Sequence, residues 1–366
     1  MRQSERKRII KIIHCADIHL DSPLNTNMSE RQANERNTEI LQTFVRMTRY
    51  AQENGVRVVI VAGDLFDGER VKRRTVDEVL EAVKATPKVD YLYLPGNHDN
   101  ATHAFFDHQI PDNLHIFTSQ WETHLYEEAS ISGIVITDQN ADSLYERVPY
   151  MSGKVNIVVL HGQIGSASGI DQVNLKRLQG KNIDYLALGH IHSYSADKLD
   201  TTGYYCYPGC LEGRGFDECG EKGFVLLDIT EGRGSSEFIP FAQRKLHRIS
   251  VDITGLASNI EVMRKMDEAA AEISADDMVE FVLTGQSDPR YDISAAYLQR
   301  LNRSKFFFSR VKDQSGIAIN PNDFKNDISL KGAFIRLVLA GDGSDEEKAA
   351  IIKAGIAALS GEEIML

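Results

Sequence analysis

Apolar residues in the first half of the chain are grouped in short runs, and each run ends in a polar turn. The five runs are RIIKIIH before Cys15, VRVVIVA before Gly63, VDYLYLP before Gly96, VNIVVL before His161 and IDYLAL before Gly189. Continuous apolar runs of this length are typical of β-strands that are buried on both faces. The pattern therefore predicts five core strands, each followed by a tight turn.

Between several of these runs the apolar positions recur at helical spacing. Residues 29–54 carry Ile40, Phe44 and Ala51 on one stripe, and this pattern stops at Gly55. Residues 71–85 form a second helical pattern, which stops just before a proline. Glycine and proline at these places are typical helix ends. Strands that alternate with helices predict an α/β layered architecture.

The order of predicted strands and helices changes in the second half of the chain and suggests a domain boundary. A new strand and helix pattern begins near residues 241–248, and a chain of 366 residues is long for one domain. We therefore predict two domains, 1–243 and 244–366, the second a small α/β domain. Its last helix is predicted to begin with a capping box and to bury one apolar stripe. The capping pair is Ser344 and Glu347, and the stripe is Ile352, Ile356 and Leu359.

Charge and hydropathy restrict the classes of partner that we expect for this chain. The formal net charge is −12 at pH 7, which argues against a protein that binds nucleic acid through an overall basic surface. Any DNA contact must then be local. No window approaches the roughly 18 apolar residues that a membrane span needs, so we expect no membrane partner and a cytoplasmic location.

The cysteines Cys15, Cys206, Cys210 and Cys219 lack a CxxC spacing, and nothing in the sequence points to an oxidising compartment. We expect four free thiols. A zinc site built from the last three is the alternative, although their spacing matches no usual zinc pattern.

Metal-ligand residue types follow all five predicted core strands. They are Asp17 and His19, Asp64 and Asp67, Asn97 with His98 and Asp99, His161, and His190 with His192. In open α/β sheets the carboxyl ends of strands face one crevice, so distant residues can converge there. Each turn alone also fits a structural role, since aspartate is a common turn former. Five such turns in one chain favour a shared site.

The set of candidate ligands mixes oxygen and nitrogen donors without thiolate, which favours Mn²⁺, Fe²⁺ or Zn²⁺ over Ca²⁺. A set of two aspartates, one asparagine and four histidines, seven ligands in all, exceeds what one ion usually takes. Two ions about 3.5–4 Å apart, with a shared carboxylate and a bridging water, suit in-line displacement at phosphorus. The ions would turn that water into a hydroxide nucleophile near neutral pH. The residues therefore predict phosphoester hydrolysis.

The motif series DxH, GDxxD, GNHD, HG and GHxH resembles the calcineurin-like metallophosphoesterases over residues 8–243. The resemblance implies a sandwich of two mixed β-sheets flanked by helices, with a small C-terminal α/β cap. It implies two bound divalent ions, with Mn²⁺ expected and Fe²⁺ or Zn²⁺ as alternatives. One ion is assigned to Asp17, His19, Asp64 and His192, and the other to Asp64, Asn97, His161 and His190.

The same resemblance assigns catalytic roles in the GNHD turn. His98 matches the family's histidine that is not a metal ligand, contacts the scissile phosphate and assists the leaving oxygen. Asp99 matches the carboxylate that orients this histidine. An imidazole paired with a carboxylate is held in one tautomer and is more easily kept protonated.

Longer motifs look like the SbcD and YhaO type of bacterial DNA-repair exonuclease, the counterpart of the double-strand-break repair nuclease subunit elsewhere. The segments are DIHLDSPL, GDLFD and YPGCLEGRGFDECGEKGFVLLDI. This likeness implies DNA as substrate, residues 244–366 as a cap that positions DNA, an SbcC-type coiled-coil ATPase as partner, and a homodimer. Two features depart from relatives: Asp67 stands where archaeal and eukaryotic members carry histidine, and the chain ends soon after the predicted last helix.

Local basic residues offer DNA contacts. Arg70, Lys72, Arg73 and Arg74 follow the GDLFD motif, and a solvated helix face is the competing interpretation. The segment 297–312 has five basic residues around three phenylalanines, which we expect to form a buried strand rather than a base-stacking surface.

We therefore predict a two-metal phosphodiesterase that acts on DNA as an exonuclease or endonuclease. A phosphodiesterase for a cyclic nucleotide or another small substrate is the first alternative, favoured by the acidic charge. A DNA-end tether without catalysis is the second, although His98 and Asp99 would then have no purpose.

Overall fold

The structure is a computed structural model that describes residues 9–24, 28–68, 71–99, 104–105, 107–166 and 169–359. It divides into two compact units, Met1–Lys245 and Leu246–Leu366. The predicted boundary lay at 243/244. Arg244 forms an ion pair with Glu39, which holds it in the first unit. The roles assigned to the two domains stay predictions.

The first unit alternates strands and helices between residues 9 and 94 and consists mainly of strands after that. Its elements are β1 (Ile9–Cys15), α1 (Glu30–Glu53), β2 (Val56–Ala62), α2 (Arg73–Lys84), β3 (Asp90–Leu94), β4 (Leu114–Ile116), β5 (Glu122–Leu125), β6 (Ala129–Gly133), β7 (Val155–His161), β8 (Gln163–Ile164), β9 (Gln172–Val173), α3 (Leu175–Leu178), β10 (Tyr185–Gly189), β11 (Ser195–Lys198), β12 (Tyr204–Tyr207), β13 (Gly223–Thr230) and β14 (Arg233–Pro240).

Two six-stranded mixed sheets form the frame of this unit. The first has the order β14-β13-β1-β2-β3-β4, in which β1 to β4 are parallel and β13 and β14 are antiparallel additions. The second has the order β11-β12-β10-β7-β6-β5, with β12, β10, β7 and β6 parallel. The five predicted core strands are β1, β2, β3, β7 and β10.

Strand β2 shows why the core strands are apolar at every position. Val58 and Ile60 lie in a core between the two sheets, where they join Ile157 of β7. Val59 and Val61 point to the opposite face, into a core that the sheet forms with α1 and α2. A third apolar core covers the outer face of the second sheet. The predicted layered α/β sandwich is therefore confirmed.

Helix α1 begins and ends close to the predicted limits. Ser29 is its N-cap and forms a capping box with Gln32, and Asn54 closes the helix before Gly55. The buried face includes Phe44 and Met47. Burial of one such side chain contributes about 1.5–3 kcal/mol. The second predicted helix is also present, as α2 over a slightly shorter range.

A buried ion network ties α1 to the segment that follows β12. Arg36 is fully buried and forms ion pairs with Glu39 and Glu212. Glu212 also accepts a hydrogen bond of 2.7 Å from Thr43. Removing one partner of such a network would leave an uncompensated buried charge, at a cost of about 3–5 kcal/mol. The network fixes the start of a segment that continues to Arg214.

The second unit has a three-stranded parallel sheet, with the order β15-β16-β18. Its elements are β15 (Leu246–Asp252), α4 (Asn259–Ala269), β16 (Met278–Thr284), β17 (Gln286–Ser287), α5 (Ala295–Asn302), β18 (Phe308–Asp313), β19 (Gly316–Ile317), a 3₁₀ helix (Pro321–Phe324), α6 (Leu330–Ala340) and α7 (Asp345–Leu359). Phe308 is buried in β18, as the strand interpretation predicts, but Phe306 and Phe307 precede the strand and are only half-buried, so the prediction is wrong for these two residues.

The capping box before α7 is confirmed. Ser344 Oγ accepts from the backbone N–H of Glu347 at 3.2 Å, and the Glu347 carboxylate accepts from the backbone N–H of Ser344 at 2.8 Å. Ile352 is fully buried and Ile356 is partly buried, but Leu359 is 47% exposed. The prediction for Leu359 is wrong, because this residue ends the helix beyond the small core around Phe324.

All four cysteines are free thiols, three of them buried, in agreement with the prediction. No helix in the described part of the chain combines the length and the apolar character that a membrane span requires.

Candidate metal centre

The turns after the core strands adopt an uncommon backbone conformation. The φ angles are 52° at Asp17, 48° at His19, 51° at Asp64 and 102° at His190. Residues other than glycine rarely adopt positive φ, and a constrained backbone of this kind costs on the order of 1–3 kcal/mol per residue. Such strain persists where the surrounding structure imposes it, and it is concentrated at functional sites.

Backbone contacts hold these turns against one another. Asp17 N–H donates to the carbonyl of Gly63 at 3.0 Å, and His19 N–H donates to the carbonyl of Asp64 at 2.9 Å. A Cβ atom on Gly63 would lie 1.9 Å from Nδ1 of His161. The glycine therefore lets the turn after β2 approach the histidine at the end of β7.

Gly96 has a similar purpose in the GNHD turn. A Cβ atom there would lie 2.2 Å from Oδ1 of Asp64. The same carboxylate oxygen accepts from the backbone N–H of His98 at 3.0 Å. The absence of a side chain at residue 96 thus brings the turn after β3 into direct contact with the turn after β2.

Asp17, His19 and His192 form one group of candidate ligands. Their donor atoms lie within 4.8 Å of one another. The Nε2 atoms of His19 and His192 are 3.2 Å apart, which fits two imidazoles that face a common ion at about 2.0–2.1 Å from each nitrogen. Asp64 Oδ2 lies 3.6 Å from Nε2 of His19, at the border of this group.

A second group adjoins the first. Asp17, Asp64 and His161 also offer donor atoms within 4.8 Å of one another. Oδ1 of Asn97 lies 2.9 Å from Nε2 of His161 and 3.3 Å from Nδ1 of His190. All seven residues predicted as metal ligands thus lie in one continuous cluster. The assignment of each residue to one of two ions stays a prediction.

The histidines at the ends of the second sheet are oriented by acceptors on their other nitrogen. His161 Nδ1 donates to the carbonyl of Ala62 at 2.9 Å. His192 Nδ1 donates to Oε1 of Glu218 at 2.7 Å, since a carboxylate can only accept. Both contacts direct Nε2 into the cluster, where it can bind a metal ion once it has lost its proton, an arrangement that is typical of metal-binding histidines.

Two buried carboxylates give the cluster its negative charge. Asp17 and Asp64 are each at most 1% exposed, and in the described ranges no lysine or arginine pairs with either. Burial raises the pKa of Asp17 to about 6. Burial also opposes ionisation of Asp64, but a hydrogen bond from His161 and the charges of His161 and His19 bring its pKa well below the usual range. Buried carboxylates without a cationic side chain fit divalent metal ions.

His98 lies at the open side of the cluster, with its side chain 51% exposed. Its Nδ1 lies 3.1 Å from Oδ1 of Asp67. The carboxylate of Asp99 instead accepts from the backbone N–H groups of Leu65, Phe66 and Gly96, at 3.2, 2.8 and 2.9 Å. The prediction that Asp99 orients His98 is therefore wrong: Asp67 is the partner, because Asp99 turns inward and joins two loops.

Sequence reasoning missed Arg214 and Glu218. Arg214 Nη2 donates to Oε1 of Glu218 at 2.8 Å, and Nη1 lies 3.5 Å from Oδ2 of Asp67. Both residues fall within YPGCLEGRGFDECGEKGF, where an arginine and a glutamate stand four positions apart. The spacing of the two residues was visible in the sequence, but the contact that they make with the histidines depends on the tertiary fold.

Two of the four residues predicted to contact DNA form ion pairs with neighbouring carboxylates. Lys72 Nζ pairs with Asp21 at 3.1 Å, and Arg74 Nε pairs with Glu78 at 2.8 Å within α2. Arg73 is exposed, and Arg70 lies outside the described residues. These pairs agree with a partly solvated helix face, and the DNA contacts stay a prediction.

Comparison with known proteins identifies a family and several relatives. A family model described as calcineurin-like phosphoesterase matches residues 10–194. The chain is 27% identical to the uncharacterized metallophosphoesterase YhaO of Bacillus subtilis over 277 residues, which are 71% of this chain and 67% of that protein.

Two further relatives are archaeal. The DNA double-strand break repair protein Mre11 of Aeropyrum pernix is 22% identical over 66% of this chain and 64% of its own length. The protein of the same name from Sulfolobus acidocaldarius is 22% identical over 94% of both chains. The match spans about two thirds of the length of the first two relatives.

Proposed function

We propose that this chain, which belongs to the calcineurin-like phosphoesterase family, cleaves phosphodiester bonds of DNA with two divalent metal ions. Its general chemistry is that of a metal-dependent hydrolase of phosphoester bonds. The observation that carries the proposal is the paired arrangement of the donor groups. Asp17 and Asp64 lie between two sets of histidines, and an exposed His98 stands beside them.

The protein residues fit the metal ions in number and in type. When bound, two divalent ions neutralise charge on the phosphoryl oxygens and increase the acidity of a water molecule. Asp17, His19 and His192 would hold one ion. Asn97, His161 and His190 would hold the other, and Asp64 would contact both. We propose Mn²⁺, with Fe²⁺ or Zn²⁺ as alternatives, because the donor set is mixed oxygen and nitrogen without thiolate.

His98 acts on the leaving group in this proposal. Because Nδ1 donates to Asp67, Nε2 is the atom that can reach a substrate on the exposed side. A proton delivered from Nε2 to the departing oxygen avoids an alkoxide, and general acid catalysis of this kind contributes typically about 10²–10⁴-fold. The backbone N–H of His98 donates to Asp64, which fixes the loop that carries the ring.

DNA is the proposed substrate for two reasons. The chain is similar to proteins named for DNA double-strand break repair, one of them over 94% of both chains. Exposed Lys72 and Arg73 begin α2, which follows the turn that carries Asp67, and they provide a local positive charge for phosphates. In this proposal residues 244–366 position the DNA, a coiled-coil ATPase of the SbcC type is the partner, and two copies form a homodimer.

A purely structural metal site is disfavoured by one observation. An exposed histidine that is held by a carboxylate is what a proton donor to the substrate requires, and His98 is so paired. The acidic net charge and the ion pairs of Lys72 and Arg74 keep a small phosphodiester as the competing substrate.

Substrate profiling with Mn²⁺-loaded protein tests the proposal. End-labelled linear duplex and single-stranded DNA are compared with a panel of cyclic nucleotides. We expect cleavage of DNA, and we expect the His98→Ala variant to lose about 10²–10⁴-fold in rate while it still binds two Mn²⁺ ions. Turnover of a cyclic nucleotide together with intact DNA ends would instead identify a small-molecule phosphodiesterase.

A further inference from the structure

Arg214 lies between two carboxylates beside the proposed metal centre. Its Nε and Nη2 donate to Oε1 of Glu218 at 3.2 and 2.8 Å. Its Nη1 donates to Oγ of Ser22 at 3.1 Å and lies 3.5 Å from Oδ2 of Asp67. The side chain is 16% exposed. The guanidinium thus spans the turn after β1, the turn after β2 and the segment after β12.

The two carboxylates serve different histidines. Glu218 accepts from Nδ1 of His192, a proposed metal ligand. Asp67 pairs with Nδ1 of His98 at 3.1 Å and lies 3.9 Å from Nδ1 of His19. A single cation therefore connects the group that orients a ligand with the group that orients the proposed proton donor.

The geometry argues against direct recognition of a substrate phosphate by Arg214. All three guanidinium nitrogens already face protein acceptors, and the backbone N–H of Arg214 donates to Oε2 of Glu218 at 2.7 Å. A planar guanidinium with five N–H groups in a fixed fork is suited to hold two carboxylates at a defined separation, whereas a lysine offers one compact charge.

We propose that Arg214 is a positioning residue that holds Asp67 and Glu218 in place and so orients His98 and His192 together. This inference rests on the proposed function of the site. Without the guanidinium, two largely buried carboxylates would lose their compensating charge, and each could turn away from its histidine. The ring of His98 would then rotate, and the Nε2 lone pair of His192 would lose its direction.

Two variants test the inference, with a control outside the site. Arg214→Met removes the charge and the fork, while Arg214→Lys keeps the charge alone. Arg57→Met is the matched control, because Arg57 pairs with Asp90 at 2.9 Å and stands at the start of β2, the end opposite the site. Thermal unfolding of each variant establishes that it folds, and Arg214→Lys carries the test if Arg214→Met does not.

Three measurements distinguish positioning from other roles. In metal-free protein at alkaline pH, ¹⁵N NMR of the His98 ring should show one tautomer in the wild type and a mixture in Arg214→Met. Titration with Mn²⁺ should show about 10–100-fold weaker binding of one ion. At saturating Mn²⁺, kcat for DNA should fall about 10–100-fold with little change in KM or in the hydrolysis of bis(4-nitrophenyl) phosphate, whose leaving group needs no proton. Arg214→Lys should recover part of each effect.

The inference is overturned if Arg214→Met keeps the wild-type tautomer of His98 and the wild-type Mn²⁺ affinity. It is also overturned if KM for DNA rises while kcat stays constant, since Arg214 would then contact the substrate. A wild-type protein that hydrolyses bis(4-nitrophenyl) phosphate but not DNA would contradict the proposed substrate. In that case the NMR and Mn²⁺ measurements still decide the role of Arg214.

Discussion

Oδ1 of Asp67 lies 3.1 Å from Nδ1 of His98, although the two residues are 31 positions apart. The contact joins the turn after β2 to the turn after β3, and it gives an exposed imidazole a fixed acceptor. An imidazole held in this way presents Nε2 to the substrate in one orientation. In the proposed function, this pair is the feature that favours a catalytic centre over a purely structural one.

Replacement of Asp67 should impair catalysis on poor leaving groups. We expect Asp67→Ala to lower kcat for DNA by about 10–100-fold, because the His98 ring loses its orienting acceptor. Hydrolysis of bis(4-nitrophenyl) phosphate should change much less, since nitrophenolate departs without a proton. Steady-state kinetics on both substrates measure the difference.

The control for Asp67 is another aspartate that pairs with a histidine. Asp77 of α2 lies 3.3 Å from Nε2 of His108, and its side chain is 55% exposed. Asp77→Ala should leave both activities unchanged. A similar loss of DNA cleavage in both variants would mean that the effect of Asp67→Ala is not specific to the site.

Asp99 should be important for stability of the loops rather than for the orientation of His98. Its carboxylate accepts from three backbone N–H groups, and Asp99→Ala would leave those donors without this partner. We expect the free energy of unfolding of the metal-free protein to fall by about 3 kcal/mol. Urea unfolding measures this loss, and an unchanged midpoint for Asp99→Ala would contradict the structural role.

Mn²⁺ affinity should increase with pH. Burial raises the pKa of Asp17 to about 6. Burial lowers the pKa of His161, but the hydrogen bond and charge of Asp64 outweigh it and raise that pKa to about 9. Both groups must lose a proton before they bind a metal ion. Between pH 6 and pH 9 Asp17 is largely ionised and the proton of His161 is the one displaced, so we expect affinity to increase up to about tenfold per pH unit, as measured by calorimetric titration.

In the metal-free protein, the contribution of these two groups to stability decreases as pH rises. Asp17 has a folded-state pKa above its unfolded value of about 3.9, so its contribution to stability falls as pH rises from about 4 to 6. The contribution of His161 is complete below about pH 6.5 and is lost as pH rises through about 9. The rise in melting temperature caused by a fixed Mn²⁺ concentration should therefore be larger at pH 8.5 than at pH 6. A constant rise would refute this assignment.

A methyl group at Gly63 should disrupt the site more than the fold. Gly63 has φ of 100°, and an added Cβ would lie 1.9 Å from Nδ1 of His161. Gly55 has φ of 68°, but an added Cβ there meets nothing within 4 Å. Gly55→Ala should cost only the left-handed backbone strain of about 1–2 kcal/mol.

Gly63→Ala should also weaken the binding of the second metal ion, because His161 must move. Elemental analysis after dialysis against Mn²⁺ measures the number of ions retained. We expect fewer ions in Gly63→Ala and two in Gly55→Ala. Equal metal content in the two variants would contradict the close packing described for this turn.

The positions of the candidate ligands could be predicted because each ligand follows directly after an apolar strand, and this order can be read from the sequence. Residues that follow parallel strands arrive at one edge of the sheets, so the turns at Asp17, Asp64 and Asn97 could be grouped without a structure. The apolar runs likewise predicted strands with two buried faces, which β2 illustrates with Val58 and Val59 on opposite sides.

The partners of the histidines could not be predicted in the same way. Asp99 is adjacent to His98 in sequence, but the direction of its side chain depends on three backbone donors in two loops. Arg214 and Glu218 lie in a segment after β12 whose path is determined by the buried network around Arg36. Such contacts depend on tertiary structure, and the periodicity of apolar residues in the sequence does not predict them.

Anomalous diffraction from crystals grown with Mn²⁺ tests the central claim most directly. We expect two peaks about 3.5–4 Å apart. One should contact Asp17, His19 and His192, the other should contact Asn97, His161 and His190, and Asp64 should contact both. A single peak, or a peak held by Asp67 and His98 instead, would contradict the two-ion centre and with it the proposed role of His98.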